Sequence, residues 1–183
     1  MTKQKIVYKG KVNDDLNIVI RYPKFSDAKS MSDYMNKISK EKTYITWQGE
    51  KITLKYEKEY LKGQLEKIEK KEAIKLVLFV NEELAGISDI GLGKKIKSHI
   101  GGFGITIASK YRGKGLGKLL MDYVLKESKR LSGLKIIVLE VFSENKNAIK
   151  MYKKFGFREY GRLPGGNQYK ERLVDDILMY KKV

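Results

Sequence analysis

The sequence predicts an α/β fold in which about four helices flank a central mixed sheet of about six to seven strands. Three observations lead to this prediction. Apolar runs of strand length occur beside segments with helical apolar spacing, the two kinds follow one another in mixed order, and 42% of residues are hydrophobic. Because 183 residues suit one domain, we expect a single domain over residues 1–183.

We predict one strand and two helices in the first 70 residues. Leu16–Arg21 is the first predicted strand. Ser26 or Asp27 can cap a helix whose apolar residues share one face, namely Ala28, Met31, Met35 and Ile38. An irregular segment, Glu41–Lys51, follows. Thr53 can then cap a second helix with its own inward apolar face, formed by Leu54, Leu61, Leu65 and Ile68.

The remaining segments alternate between strands and helices. In chain order we expect strands at Ala73–Val80, Leu84–Ile90 and Ser98–Ile107, a helix ending near Leu131, a strand at Lys135–Val141, a helix at Ala148–Phe155, and strands at Phe157–Leu163 and Tyr169–Tyr180. The strand Lys135–Val141 is apolar enough to be buried on both faces. The last two strands are expected to turn at Pro164–Asn167.

Composition excludes several kinds of site. There are no cysteines, which excludes disulfides, thiolate metal sites and a cysteine nucleophile and fits a cytoplasmic protein. His99 is the single histidine, so we expect no metal site. No apolar run approaches the roughly 18 residues of a membrane span, so we expect no membrane partner. The net charge of +17 favours polyanions, although the lysines spread along the chain as on a solvated surface.

A basic, glycine-rich loop, Tyr111–Lys118, follows a strand and opens a helix. The N–H groups at a helix N-terminus bind phosphate, and glycines let the backbone wrap closely around an anion. A Walker A loop is excluded, because Gly113–Lys118 is one residue short of that pattern and Leu119 stands where Ser or Thr is needed. The spacing of the glycines also excludes a dinucleotide fingerprint. What remains is the pattern Arg/Gln-x-x-Gly-x-Gly/Ala, which Arg112–Gly117 meets; a basic turn before a surface helix is the alternative.

A second motif lies downstream in Asn145–Phe157. It meets the pattern Asn-x-x-Ala-x-x-x-Tyr-x-x-x-Gly-Phe, with Asn145, Ala148, Tyr152, Gly156 and Phe157 in place. Together the two segments, in this order and at this separation, resemble the GNAT acetyltransferase superfamily. The resemblance covers about the last 110 residues well, and the opening strand and two helices more loosely.

The resemblance implies the strongly twisted sheet of the GNAT fold and an acetyl-CoA-dependent N-acetyltransferase. It implies that loop N–H groups hold the cofactor pyrophosphate, that a strand offers main-chain hydrogen bonds to the pantetheine arm, and that Asn145 and Tyr152 contact the arm and the thioester sulfur. The implied cofactor residues are Ile105, Thr106, Ile107, Arg112, Gly113, Lys114, Gly115, Leu116, Gly117, Lys118, Asn145 and Tyr152.

Direct attack of an amine on the thioester needs no enzyme nucleophile, but it needs a proton donor for the thiolate and a proton acceptor for the amine. Tyr152 is the predicted donor. Glu140 is the first choice for the acceptor, because burial in an apolar strand would raise its pKa. It also precedes Tyr152 by twelve residues, as in GNAT enzymes that acetylate protein N-termini. Other bases left open are Asp89, His99, Glu144 and a water relay.

The acceptor is left open between a protein N-terminus of the ribosomal-protein type, an amino acid and a small amine or polyamine. The positive net charge argues mildly against free polycations. Ribosome association and a homodimer are further expectations, the latter because homodimers are frequent in this superfamily. Trp47 lies in the loop between the first two helices, and in this family that loop often borders the acceptor site. The competing function is a non-catalytic acyl-CoA sensor or an RNA-associated or ribosome-associated basic module.

Overall fold

The computed structural model describes residues 5–12 and 16–183. It has a mixed α/β fold with eight strands and four α-helices, which confirms the predicted class with slightly more strands. The strands are β1 Ile6–Val12, β2 Leu16–Arg21, β3 Ala73–Val80, β4 Glu83–Leu92, β5 Ile100–Ile107, β6 Ile136–Phe142, β7 Arg158–Tyr169 and β8 Arg172–Lys182. The helices are α1 Ala28–Lys40, α2 Leu54–Glu69, α3 Leu116–Ser128 and α4 Lys146–Lys154.

Strand β1 is the element that the sequence did not reveal. It pairs antiparallel with β2, so Leu16–Arg21 is the second strand and not the first. The strand carries Lys9 and Lys11 between few apolar residues and buries none of its side chains fully. Polar, lysine-bearing segments of this kind are typical of sheet edges, where only one neighbour supports the strand.

The chain forms two compact units, the first of which comprises residues up to 91 together with 104–132. In it β1, β2, β3 and β4 pair antiparallel in sequence order. The hairpin between β3 and β4 turns at Asn81 and Glu82, both with positive φ, as two-residue hairpin turns require. The fully buried side chains of this unit include Ile18, Ile20, Leu61, Leu76, Leu78 and Leu120.

The helix starts in this unit follow the predictions in part. Thr53 precedes α2 and its side chain accepts a hydrogen bond from the Tyr56 N–H, as predicted. Asp27 precedes α1, but its carboxylate binds the buried Arg21 guanidinium through two hydrogen bonds of 2.6 and 2.9 Å. The prediction for Leu54 was wrong: it is 39% exposed, because it lies in the first turn of α2.

The second unit comprises residues 92–103 and 133–183. The first residues of β5 pair parallel with β6, β6 pairs antiparallel with β8, and β8 with β7. The closing turn lies at Lys170 and Glu171, which have positive φ, and not at Pro164–Asn167. That predicted turn is instead an irregularity inside β7, where the register shifts between Leu163 and Asn167.

Strand β6 is not buried on both faces as predicted, since Glu140 is exposed and its neighbours alternate between buried and half-buried.

Among the described residues, none of the helices is both long enough and apolar enough to span a bilayer.

Candidate active site

The predicted phosphate loop forms a tight turn directly before α3. Gly113 and Gly115 both have positive φ, 77° and 79°, and Gly115 is the residue that precedes the helix. A Cβ at either position would meet open space, so backbone conformation and not crowding requires glycine. Leu116 is buried and anchors the helix start. The first N–H groups of α3, which lack partners within a helix, therefore face the loop as an anion site would need.

The cations of the loop have different roles. Arg112 donates from Nε to the Ile107 carbonyl oxygen at 2.8 Å, and its guanidinium forms an ion pair with Glu41. Arg112 therefore fastens the loop to the end of β5. Lys114 and Lys118 are exposed on the loop and on the first turn of α3, where an anion would meet them.

The end of β5, predicted to bind the pantetheine arm, is half-buried from Gly104 to Ile107. Its contacts include hydrogen bonds from side chains: Ser88 Oγ donates to the Gly104 carbonyl oxygen at 2.8 Å, and the Tyr34 hydroxyl donates to Thr106 Oγ1 at 2.9 Å. The first bond holds the backbone at Gly104 and the second holds the Thr106 side chain, while residues 104–107 stay accessible in part.

A cavity of about 230 Å³ lies beside this strand end. It borders Ile105 and Thr106, two of the residues predicted to contact pantetheine. Its walls come from α1, the segment before α2, α2 itself, β3, β4 and β5, through Met31, Met35, Trp47, Ile52, Tyr56, Glu57, Tyr60, Lys75, Ile87, Asp89, Gly104, Ile105 and Thr106.

Glu57 is the unexpected feature of this cavity. Its residue is 3% exposed, and its Oε1 atom has no hydrogen-bond partner among the residues that the structure describes. Burial raises the pKa of Glu57 to about 7, and the positive charge of Lys75 limits the rise. A carboxyl that titrates near neutral pH in a cavity is a candidate functional group.

Lys75 and Asp89 form an ion pair in the same cavity. Lys75 Nζ binds the Asp89 carboxylate and also lies 3.1 Å from the Tyr60 hydroxyl oxygen. Burial alone would lower the pKa of Lys75, but Asp89 and Tyr60 outweigh it and raise that pKa, so Lys75 stays charged. Asp89, one of the alternative bases, is thus already bound to a cation.

The segment that carries Trp47 is irregular, as predicted, but side chains of α1 hold it in place. Asn36 binds the Ile52 backbone twice, donating to its carbonyl oxygen at 2.9 Å and accepting from its N–H at 2.7 Å. Ser39 Oγ donates to the Glu50 carbonyl oxygen at 3.0 Å. Trp47 packs edge-on against Tyr56 of α2, with ring centroids 6.4 Å apart.

In the second unit, the motif residues Asn145 and Tyr152 occupy structured positions. Asn145 caps α4 by accepting a hydrogen bond from the Ala148 N–H at 3.2 Å. Tyr152 is 7% exposed and packs against the rings of Phe103 and Phe157. Burial raises the pKa of Tyr152 to about 12, so the phenol keeps its proton at neutral pH.

The premise for Glu140 as a buried base was wrong, because its side chain is exposed on β6. Of the alternatives in this unit, Glu144 binds Arg172, with 2.7 Å between their atoms, and His99 is half-buried. Both residues that the sequence interpretation overlooked lie in the first unit. Glu57 occupies the inward stripe of α2 four residues before Leu61, and Lys75 interrupts an apolar strand. A polar residue at an apolar position was the available signal.

Comparison with known proteins gives one family. The model of the acetyltransferase (GNAT) family matches residues 33–157. A curated relative, the spermine/spermidine N(1)-acetyltransferase of Bacillus subtilis (strain 168), is 39% identical over 57 residues, which is 31% of this chain. The matched segment spans 38% of the length of that relative.

Two solved structures extend the likeness over the whole fold. The acetyltransferase of GNAT family from Streptococcus pneumoniae superposes with a TM-score of 0.84 at 28% identity, over 91% of this chain and 99% of the other. A ribosomal L7/L12 alpha-N-protein acetyltransferase in complex with coenzyme A superposes with a TM-score of 0.80, over 98% of each chain. At 12% identity, that second likeness concerns the fold alone.

Proposed function

Because this chain belongs to the acetyltransferase (GNAT) family, we propose that it is an N-acetyltransferase that moves the acetyl group of acetyl-CoA to a primary amine. The observation that carries the proposal is the glycine-rich turn at the start of α3. It presents free N–H groups and two exposed lysines, and β5, the strand that precedes it, borders a cavity large enough for an amine.

The cofactor would use backbone groups more than side chains. The N–H groups of residues 113–118 would bind the pyrophosphate, with charge from Lys114 and Lys118. Ile105, Thr106 and Ile107 would pair with the pantetheine arm as an added strand does. The Ile107 carbonyl oxygen already accepts from Arg112, so at that residue the N–H is the group left for the cofactor.

The acyl transfer requires proton movements and no enzyme-bound intermediate. The amine nitrogen attacks the thioester carbonyl carbon, the carbon–sulfur bond breaks, and the thiolate takes a proton. Tyr152 is the proposed donor, since burial raises its pKa to about 12 and so keeps the phenol protonated at neutral pH. Glu140 remains a proposed proton acceptor from its motif spacing, although its side chain is exposed on β6 and not buried as expected.

The acceptor class is a primary amine, either free or at a peptide N-terminus. The Bacillus subtilis relative is named for polyamines, and a structural neighbour for a ribosomal protein, so both classes belong in the first assays. Cytoplasmic location, ribosome association and a homodimer stay predictions. An acyl-CoA sensor or an RNA-associated module is the second candidate, supported by the net charge of +17.

Two measurements on the wild-type chain test the proposal. Calorimetry measures acetyl-CoA binding, and release of free CoA measures turnover with free amines and with peptides that carry free N-termini. We expect acetyl-CoA binding and amine-dependent CoA release. Binding without release under any amine would favour the sensor, and no binding of acetyl-CoA would contradict the proposed function.

A further inference from the structure

The cavity beside β5 contains one more carboxylate than cation. Lys75 and Asp89 neutralise each other through their ion pair, whereas Glu57 Oε1 is unpartnered among the described residues. A buried carboxylate without a partner is costly, and a bound cation would relieve that cost. The cavity therefore has the charge complement of a site for one ammonium group.

We propose that Glu57 binds the ammonium group of the acceptor and takes its proton, and that the acceptor is a monocationic primary amine on an apolar body. The proposal rests on the proposed acetyltransferase function and deepens it by naming the acceptor class and by making Glu57 the base in place of Glu140.

The walls of the cavity suit an apolar body better than a polar one. Trp47, Tyr56 and Tyr60 contribute aromatic rings, and the last two rings are stacked parallel with centroids 6.5 Å apart. The apolar wall is completed by Met31, Met35, Ile52 and Ile87. Methionines adapt to ligands of varied shape, and aromatic faces attract an ammonium group within about 6 Å.

The charge and the volume of the cavity narrow the class of acceptor further. A polyamine brings two or more positive charges, of which Glu57 can balance one, and the other charges would meet a protein of net charge +17. An apolar cavity of about 150 Å³ accommodates benzene, and this cavity, at about 230 Å³, is larger. It holds an aralkyl group or the first apolar residue of a peptide. A free arylalkylamine and an apolar peptide N-terminus share this chemistry.

The position of Glu57 relative to β5 makes it suited to proton transfer. The cavity that Glu57 lines also borders Ile105 and Thr106, where the acyl-bearing arm is proposed to lie. The ammonium gives one proton to the Glu57 carboxylate, and the free amine then forms the new carbon–nitrogen bond. Tyr152 gives its phenolic proton to the departing thiolate sulfur and is reprotonated by the second proton of the amine, so the products are the amide and CoA thiol, and Glu57 returns its proton to solvent.

The groups that surround Glu57 fix the pH at which it works. Tyr56 and Tyr60 come from its own helix, Lys75 from β3 and Asp89 from β4. Lys75 is held charged by its partners, so its field is constant through neutral pH. Titration of Glu57, with a pKa of about 7, would thus give kcat/KM a limb that rises with pH.

The first experiment replaces Glu57 with a side chain of the same shape and no charge. Glu57→Gln is expected to lower kcat/KM by about 10²–10⁴-fold and to abolish the rising limb near pH 7, while the acetyl-CoA Kd stays within twofold. Glu59→Gln, an exposed position on the same helix, is the matched control and should keep both rate and limb. Glu57→Asp, which keeps the carboxyl but shortens its reach, should recover the limb at a reduced rate.

The second experiment compares acceptors on the wild-type enzyme. Phenethylamine and a peptide with N-terminal methionine are the two sources of the proposed chemistry, and spermidine is the polycation. We expect either or both of the first two to exceed spermidine at least tenfold in kcat/KM, and Trp47→Ala to raise KM for the preferred acceptor without changing its value for acetyl-CoA. The ratio of kcat/KM for phenethylamine to kcat/KM for the peptide shows whether the acceptor is a free amine or a peptide N-terminus.

The outcomes separate the two proposals. Absence of acetyl-CoA binding by the wild-type chain would contradict the proposed function itself. Intact acetyl-CoA binding with full turnover in Glu57→Gln, or a wild-type rate that lacks a limb near pH 7, would overturn the role of Glu57 alone. A preference for spermidine would overturn the acceptor class.

Discussion

The predicted phosphate loop and the proposed acceptor cavity lie in the same compact unit, yet they are built from different parts of the chain. The loop is a continuous run in which Gly113 and Gly115 supply backbone geometry. The cavity takes side chains from six separate segments, and its charged groups come from α2, β3 and β4. A site made of backbone leaves a short motif in the sequence, whereas a site made of side chains is assembled only by folding.

Because the cavity is assembled from side chains, its stability is expected to depend most on the buried positive charge of Lys75. Lys75→Met would leave Asp89 without its ion-pair partner and Glu57 without a nearby positive charge. Because the Asp89 side chain is 35% exposed, we expect a loss of about 1–3 kcal/mol in the free energy of unfolding, less than for a fully buried pair. The pKa of Glu57 should also rise, since Lys75 opposes the effect of burial. Urea unfolding at pH 7.5 measures the first effect, with Lys62→Met, an exposed lysine of α2, as the control. Equal stabilities of the two variants would contradict the buried pair.

Binding of acetyl-CoA is expected to depend on the backbone conformation of the loop. Gly115→Val places a β-branched residue at φ 79°, which valine rarely adopts, so we expect the Kd for acetyl-CoA to rise about 10–100-fold. Calorimetry measures the change. Gly63→Ala in α2, where a Cβ meets open space and φ is not positive, should leave the Kd unaltered. An unchanged Kd in Gly115→Val would mean that the loop does not bind the cofactor.

Changes to the segment that bears Trp47 are expected to raise KM for the acceptor and not KM for acetyl-CoA. Asn36→Ala removes both hydrogen bonds to the Ile52 backbone, which would loosen one wall of the cavity and raise KM for the acceptor several-fold. Steady-state kinetics with each substrate varied in turn separates the two effects. Asp33→Ala, which breaks only an exposed ion pair on the same helix, serves as the control. A rise in the acetyl-CoA KM alone would contradict this assignment.

The smallest expected effect is a pH-dependent change in stability at Glu57. Its pKa is raised in the folded state to about 7, so the folded protein binds the proton more tightly than the unfolded chain. Stability from this residue is therefore full at low pH and is lost as pH rises to and beyond 7. Glu57→Gln should melt above the wild type at pH 8, by about 2–4 °C for each kcal/mol, and the gain should vanish toward pH 4. A gain independent of pH would argue against the raised pKa.

Sequence predicted the parts of the protein that rest on local chemistry. Helix α2 follows from its Thr53 cap, and the loop before α3 follows from its glycines. It failed where tertiary pairing decides the outcome. The turn at Lys170 and Glu171 contains neither glycine nor asparagine, so only the pairing of β7 with β8 reveals it.

The same limit applies to charged groups in the candidate site. Glu140 lies among apolar residues in sequence but faces solvent, because a strand alternates its side chains between two faces. Glu57 lies among lysines and glutamates in sequence but points inward, because helical spacing brings it into line with Leu61. Burial of a single charged residue depends on register, which local composition does not reveal.

An acidic cavity in a lysine-rich protein has a kinetic consequence for a two-substrate reaction. The net charge of +17 draws the polyanionic cofactor toward the protein and slows the approach of a cationic acceptor. Added salt screens both fields, since the Debye length falls from about 10 Å at 0.1 M to about 3 Å at 1 M. Ionic strength should therefore act in opposite senses on the two encounters, weakening capture of the cofactor while easing entry of the amine.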